Sequence, residues 1–335
     1  MRMEDIAEKA GVSQATVSRV LSGHGGVSQA KTQAVLEWAG KFGFTPKRRR
    51  PRPDGGTVNI GFFFSGRDFS RAGTALLQKF TALIRDIPDK YSICFLPVGM
   101  DAAQFGRELV NRKISGLLIA GHHNPPELAP ILKTVPHVWL NSHDGPSSGS
   151  VLRGNREAGR IAAAYLTGHG CTRLGAIRVP SRNPGYAARI DGFLEEAERH
   201  GCRALVFPCG EPRQYFEEIE VAELEEILGN TFTALSDLAE SCDGFFCPDD
   251  RVTAILYRIL LKRELILTRR VRVISCNNDR NCLAGLYPRP ATIDFAPELS
   301  AKIALHQLLR QLEKKNDREN IPVIVNPILV PGDEL

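Results

Sequence analysis

A chain of 335 residues with 43% apolar and 24% charged side chains is long enough for two or three domains with real cores and has the balance of a soluble protein. No run approaches the ~18 apolar residues of a membrane-spanning helix, and the opening MRMEDIAEKAGVS is too acidic and too weakly apolar for a secretion signal, so a cytoplasmic, non-membrane protein is expected. The eight cysteines form no CxxC pair and mostly sit in apolar runs such as 91-YSICFL-96 and 242-CDGFFC-247, which fits reduced core residues and argues against structural zinc.

The net charge is +5, and its placement is informative. Residues 1–57 hold ten Lys/Arg against five Asp/Glu, whereas the remainder holds 33 of each. A small basic module on a neutral body points to a polyanion partner for the module alone.

Met3, Ile6, Ala7 and Ala10 recur at the spacing of one helix face, and Gly11 ends that helix. Ser13 can cap a second helix whose inner face is Val17, Val20 and Leu21. Two short helices joined through a tight, glycine-containing turn are the helix-turn-helix pattern. Ser28 can cap a third helix, with Val35, Trp38, Ala39 and Phe42 inward, stopped by Gly43 and Pro46. In such a module the second helix enters the major groove. Gln14, Ala15 and Arg19 are then candidates for adenine, thymine-methyl and guanine edges, and the hydroxyls of Ser13, Thr16 and Ser18 for phosphates. Taken singly, each is equally an exposed polar residue on a surface helix.

The run 3-MEDIAEKAGVSQATVSRVLSG-23, continued by 27-VSQAKTQAVLEWAGKFGFTP-46, resembles the DNA-binding domain of the lac repressor family. That resemblance implies a homodimer on a near-palindromic operator in double-stranded DNA. It also implies a short hinge helix after the third helix, with an apolar residue wedged into the minor groove. Residues 46–57 depart from this pattern. Lys47, Arg48, Arg49, Arg50 and Arg52 crowd into six positions among Pro51 and Pro53, and no large apolar residue is available as a wedge. The two prolines disfavour a helix. The segment reads as a basic linker, either a solvated charge run or a proline-stiffened arm laid on phosphates or in a narrow minor groove.

From residue 58 onward, apolar strands alternate with amphipathic helices. Strands are expected at 58–64, 91–97, 114–120, 135–140, 173–179, 203–207, 244–247, 271–276 and 323–330. Helices are expected near 72–86, 102–112, 156–167, 186–199, 216–240, 249–263 and 297–314. Such alternation means parallel sheets covered on both faces, and two Rossmann-like halves fit the length. The stretches 155-NREAGRIAAAYLTGHG-170, 189-RIDGF-193, 245-FFCPDDRVT-253, 271-VRVISCNND-279 and 290-PATIDFAP-297 resemble the body of the same family. The implied fold is α/β: a three-helix headpiece (1–45), the linker (46–57), and a periplasmic-binding-protein-like body (58–335). Its two subdomains would be joined by crossovers near 152–154, 285–292 and 318–322.

The resemblance also names a cleft. Arg189 matches the family's effector-contacting arginine, and Asn141 another polar pocket position. Asp249 stands where the family usually has Asn, Asp250 matches the aspartate beside it, and Asn277 stands where the family usually has Asp. Ser65 and Arg67 follow the first strand and would line the same cleft. One arginine among carboxylates and amides suits a polyhydroxylated, sugar-like effector. Arg189 could instead pair with Asp191 at the surface, and Asp249 and Asp250 could simply cap a helix. His122 and His123 lack a third metal ligand, and no Walker, GxSxG or HExxH motif occurs, so neither metal, cofactor nor catalysis is expected.

The expected function is a DNA-binding transcriptional repressor controlled by a small-molecule effector. A regulator of the same fold without small-molecule control, and a sugar-binding protein without DNA function, are the alternatives. Ending at 331-PGDEL-335 without a leucine heptad, the chain is expected to form a dimer rather than a tetramer.

Overall fold

The computed structural model describes residues 3–21, 27–41, 57–66, 74–121, 126–140, 149–213, 216, 219–238, 242–262, 264, 271–313 and 321–333. At the N-terminus, helices α1 (Met3–Lys9), α2 (Gln14–Leu21) and α3 (Gln29–Lys41) enclose a small core of Ile6, Ala7, Val17, Val35 and Ala39. Gly11 has φ +62°, which lets Val12 N donate to Ala7 O at 3.0 Å and turns the chain into α2. Phe42, expected on the inner face of the third helix, lies outside the described residues.

The body begins with β1 (Val58–Phe64), α4 (Thr74–Asp86), β2 (Tyr91–Phe95), α5 (Ala102–Asn111), β3 (Ile114–Ala120), a single 3-10 turn, α6 (Ala129–Leu132), β4 (His137–Leu140) and β5 (Ser150–Arg153). It continues with α7 (Asn155–Gly168), β6 (Arg173–Arg178), α8 (Pro184–Arg199), β7 (Arg203–Pro208), α9 (Val221–Leu238), β8 (Gly244–Phe246), α10 (Asp250–Lys262), β9 (Arg272–Cys276), α11 (Arg280–Leu283) and β10 (Ala291–Asp294). Helix α12 (Pro297–Glu313) and strands β11 (Val323–Val325) and β12 (Ile328–Val330) complete it.

Two six-stranded sheets result, ordered β11-β5-β4-β3-β1-β2 and β12-β10-β9-β8-β6-β7. Among the described strands every pairing is parallel except β10 with β12. Each sheet buries both faces, one cluster around Phe62, Leu83 and Leu308 and another around Phe105 and Trp139 in the first, and two around Phe245 and Phe193 in the second. That is why strands such as 58-VNIGFFF-64 and 114-ISGLLIA-120 are apolar almost throughout.

The chain passes between sheets after β5, between β10 and α12, and between β11 and β12. Three details differ from the sequence reading. The stretch 323–330 is two strands in different sheets, because Pro327 interrupts it and the chain changes sheet there. Strands 150–153 and 291–294, not expected from the sequence, overlap the connections expected near 152–154 and 285–292; the second passage follows β10 and the third lies between β11 and β12, later than 318–322. All eight cysteines are free, five of them buried.

Candidate DNA-facing helix and effector cleft

In the headpiece, Ser13, Gln14, Ala15, Ser18 and Arg19 are exposed on one side of α2, opposite buried Val17. Ser13 is the N-cap: its Oγ accepts from Thr16 N at 3.1 Å and lies 2.9 Å from Thr16 Oγ1. Those two hydroxyls therefore stabilise the helix start as well as facing outward. Lys47, Arg48, Arg49, Arg50 and Arg52 lie outside the described residues.

The chain leaves each sheet at the carboxyl ends of β5 and β10, and the Arg153 guanidinium at the end of β5 lies 5.1 Å from the ring centre of Phe295 after β10, so these two strand ends, one from each sheet, lie together at the edge where open parallel sheets hold ligands. Arg189 sits here on α8, only 3% exposed. Its Nε donates to Asn155 Oδ1 at 2.9 Å, and its Nη1 donates to the Pro248 carbonyl and, at 3.5 Å, to Asn277 Oδ1. The guanidinium lies 4.8 Å from the Tyr186 ring centre and 4.4 Å from that of Phe295. The surface pairing with Asp191 does not form. Asp191 stands instead 4.0 Å from exposed Arg156.

Asp249 precedes α10 and caps it, its Oδ1 accepting from Arg251 N at 3.0 Å. The same carboxylate takes Tyr186 OH at 2.9 Å, Arg251 Nε at 3.1 Å and Asn277 Nδ2 at 3.4 Å. Burial pushes its carboxyl up, but Arg251, with the Tyr186 hydroxyl and Arg189 adding, outweighs burial and holds it below the usual range. Asp249 thus caps α10, and Asn277 bridges it to Arg189.

Asp250 neither caps α10 nor faces the cleft. At 1% exposure it ties three segments together, bonding Ser275 Oγ, Asp279 N at 2.6 Å and Thr292 Oγ1 at 3.2 Å. Burial pushes its carboxyl up to about 8. Ser65 closes β1, where its N donates to Ala120 O at 2.8 Å. Its hydroxyl is buried and unpartnered among the described residues, against Gly121 (φ +128°), where a Cβ would lie 2.2 Å from it. Arg67, Asn141, His122 and His123 lie outside the described residues. No group of three or more His, Cys, Asp or Glu among the described residues could hold a metal.

Several residues of this region are given no role by the sequence: Tyr186, Arg153 and Lys79 stand outside the quoted motifs, and Arg251 and Phe295 lie within them without an assigned contact. Lys79 left a trace, since Leu76, Lys79 and Leu83 share one helix face, which places a lysine among core leucines.

A helix-turn-helix headpiece on a two-sheet body with polar groups at the facing strand ends defines a DNA-binding transcriptional regulator built on a periplasmic-binding-protein-like scaffold. Residues 2–47 match the model for bacterial regulatory proteins of the lacI family, and residues 163–333, about half of the chain, match the periplasmic binding protein-like domain. The chain belongs to the lacI family of bacterial regulatory proteins. It is 26% identical to the sucrose operon repressor of Lactococcus lactis over 94% of this chain and 95% of that protein. It is 24% identical to the ribose operon repressor of Escherichia coli, over 96% and 98%. A complex of the regulator CelR with cellobiose superposes with a TM-score of 0.66 at 20% identity, covering 99% of each chain. A lac repressor dimer bound to operator and an anti-inducer superposes with a TM-score of 0.63 at 16% identity, covering 99% of this chain and 98% of that one. No described helix is long and apolar enough to cross a membrane.

Proposed function

We propose that the protein is a homodimeric repressor that binds a near-palindromic operator through two copies of its headpiece and releases or tightens it when a sugar-like effector enters the cleft. The cluster of Arg189, Asn277 and Asp249 carries this reading. It offers a guanidinium, an amide and a carboxylate from different elements, converging where the two halves meet. Sucrose, ribose and cellobiose in the names of related proteins support a carbohydrate. Ser65 extends the polar lining on the first half, joined in this reading by Arg67 and Asn141. Gln14, Ala15 and Arg19 read base edges, with Ser13, Thr16 and Ser18 on phosphates. Such a regulator works in the cytoplasm, where its operator is.

Closure of the cleft moves the halves, and hence the headpieces, only to the extent that the effector binds one arrangement better than the other. The test is an operator titration with the full-length dimer, once preferred DNA sites have been selected in vitro, in the presence and absence of a carbohydrate panel. An effector that raises the melting temperature and shifts operator affinity supports the switch. Binding that leaves operator affinity unchanged defeats it.

A further inference from the structure

Two short stretches outside the cleft repeat one another, 169-HGC-171 and 200-HGC-202. Each follows a helix and closes it in the same way. The glycine turns left-handed (Gly170 φ +83°, Gly201 φ +68°), and the cysteine N donates back into the helix, Cys171 to Leu166 O at 3.1 Å and Cys202 to Ala197 O at 2.9 Å. Strands β6 and β7 then begin side by side and parallel, with Arg173 opposite Arg203. Carried back from that register, the two cysteines stand one residue off a direct pair. A strand spacing of about 4.8 Å and a rise of about 3.3 Å per residue put their α-carbons about 6 Å apart, inside the ~4.4–6.8 Å that a disulfide spans.

The side chains agree with that spacing. Cys202 Sγ lies 3.7 Å from the Cys171 carbonyl oxygen, and both cysteines pack in the apolar cluster around Phe193. Cys171 Sγ rests 3.4 Å from the Asp243 carbonyl oxygen, a weak thiol contact that a turn about its Cα–Cβ bond gives up. The two thiols are unequal. Cys202 is half-buried, whereas Cys171 is buried. Burial, with the Asp243 charge adding, pushes the Cys171 thiol up to about 11, which makes it the poorer first nucleophile. An accessible thiol beside a second one that can resolve it is the arrangement of a redox-sensitive pair.

We propose that Cys202 and Cys171 are a modification site, oxidised by hydrogen peroxide and closing reversibly into a disulfide that ties the start of β6 to the start of β7. The Cys202 sulfur attacks the peroxide. An S–O bond forms, the O–O bond breaks, and the departing hydroxide takes the thiol proton and leaves as water. Cys171 then attacks the sulfur of the Cys202 sulfenic acid. The S–S bond forms, the S–O bond breaks, and the second hydroxide leaves as water with the Cys171 proton. Together the two sulfurs give up one electron pair, and the peroxide is reduced to water. A small thiol such as glutathione reopens the bond by exchange. The site stands at the amino ends of β6 and β7, the opposite end of the sheet from the cleft, and does not depend on the effector reading.

The test uses the full chain, reduced and folded, treated with hydrogen peroxide at graded doses, then alkylated with N-ethylmaleimide in urea, digested and read by mass spectrometry. The wild type is expected to yield a linked Cys171–Cys202 peptide, lighter by two hydrogens than its separate halves, that disappears on treatment with dithiothreitol. Cys94 on β2 and Cys282 on α11, also half-buried, are internal controls and are expected to remain alkylated at the dose that links the pair. In Cys171→Ser the sulfenic acid has no resolving thiol, so dimedone is expected to label Cys202 several-fold more than in the wild type. Cys202→Ser is expected to abolish the linked peptide and leave Cys171 alkylated. No linked peptide at any dose that preserves the far-ultraviolet circular dichroism overturns the proposal, as does oxidation of Cys94 or Cys282 ahead of the pair. Equal dimedone labelling of Cys202 in the wild type and in Cys171→Ser overturns it as well. Where Cys171→Ser does not fold, the linked peptide in the wild type and its loss in Cys202→Ser decide the matter.

Discussion

The α-carbon of Gly159 on α7 lies so close to the carbonyl oxygen of Arg189 on α8 that a Cβ there would stand 1.9 Å from it. The relation is reciprocal, because a Cβ on Gly192 of α8 would stand 2.0 Å from the carbonyl oxygen of Arg156 on α7. Two helices in backbone contact at two points cannot slide, and Arg189 is carried at one of those points. Gly159→Ala must push α8 away, since the obstacle is backbone rather than a flexible side chain. A destabilisation of about 3 kcal/mol is expected in urea unfolding, with effector response lost even where the variant is folded. Wild-type stability in Gly159→Ala would show that the helix pair is not locked.

Asn277 and Asp249 form an amide–carboxylate pair at 3.4 Å, with the amide oxygen turned to Arg189 at 3.5 Å. The resemblance to the lacI family implies an amide at the position of Asp249 and a carboxylate at that of Asn277, the reverse of what stands here. Asn277→Asp alone sets two carboxylates face to face, and one of them must take up a proton. Effector affinity should fall at least about tenfold and partly recover as the pH is lowered. The exchange Asp249→Asn with Asn277→Asp restores one of each. It should recover affinity beyond the sum of the single changes, with a coupling of about 1 kcal/mol or more. Additive losses in the double variant would mean that the two side chains act independently.

These residues are not equally legible in the sequence. Arg189 stands in a distinctive motif, and the strands buried on both faces announce themselves as apolar runs. The passages between the halves do not. Strand 150-SVLR-153 is four residues long and half-buried at Leu152 and Arg153, and 291-ATID-294 ends in a polar turn, so neither has a period or an apolar run to read. Arg153 and Phe295 lie at the ends of those strands, and their meeting depends on two segments more than a hundred residues apart. Asp250 reads as a helix cap because carboxylates favour that place, but its neighbour Asp249 fills it. Only the positions of Ser275 and Thr292 in space show what Asp250 does.

The roles proposed for the headpiece and for the basic linker, base reading and phosphate binding, should separate by salt dependence. Gln14→Ala and Arg19→Ala should each cost about 1–3 kcal/mol of operator affinity and relax preference at one base pair, with little change in salt dependence. Replacing Arg48, Arg49, Arg50 and Arg52 by Gln should lower affinity on all sequences and flatten the log–log salt slope by up to about 0.9 for each phosphate that is no longer neutralised. Filter binding or fluorescence anisotropy at several salt concentrations measures both. An unchanged slope in the four-arginine variant reduces that segment to a spacer.

Asp250 makes stability depend on pH in a direction opposite to that of an ordinary ion-paired aspartate. Thr253 Oγ1 lies 2.6 Å from Ser275 Oγ and donates to the Asp249 carbonyl at 3.1 Å, and Ser275 Oγ bonds Asp250 Oδ1. With a proton on Asp250, each hydroxyl donates once along this line, from Asp250 to Ser275 to Thr253 to the carbonyl. With Asp250 ionised, Ser275 turns its proton to the carboxylate, and the single Thr253 proton cannot serve both Ser275 and the carbonyl. Burial, which pushes the carboxyl up to about 8, thus favours the state in which every hydroxyl is used. An aspartate in the unfolded chain titrates near ~3.9. Between that value and about 8 the folded protein holds a proton that the unfolded chain has released, so this group's contribution to stability falls as the pH rises. Asp250→Asn keeps a donor for Ser275 and an acceptor for Asp279 N without titrating. Relative to the wild type it should gain in urea midpoint steadily from pH 5 to pH 9, the difference levelling above the folded-state value. A difference that stays flat over that range would mean that Asp250 is ionised in the folded protein, anchored by its three donors rather than by its proton.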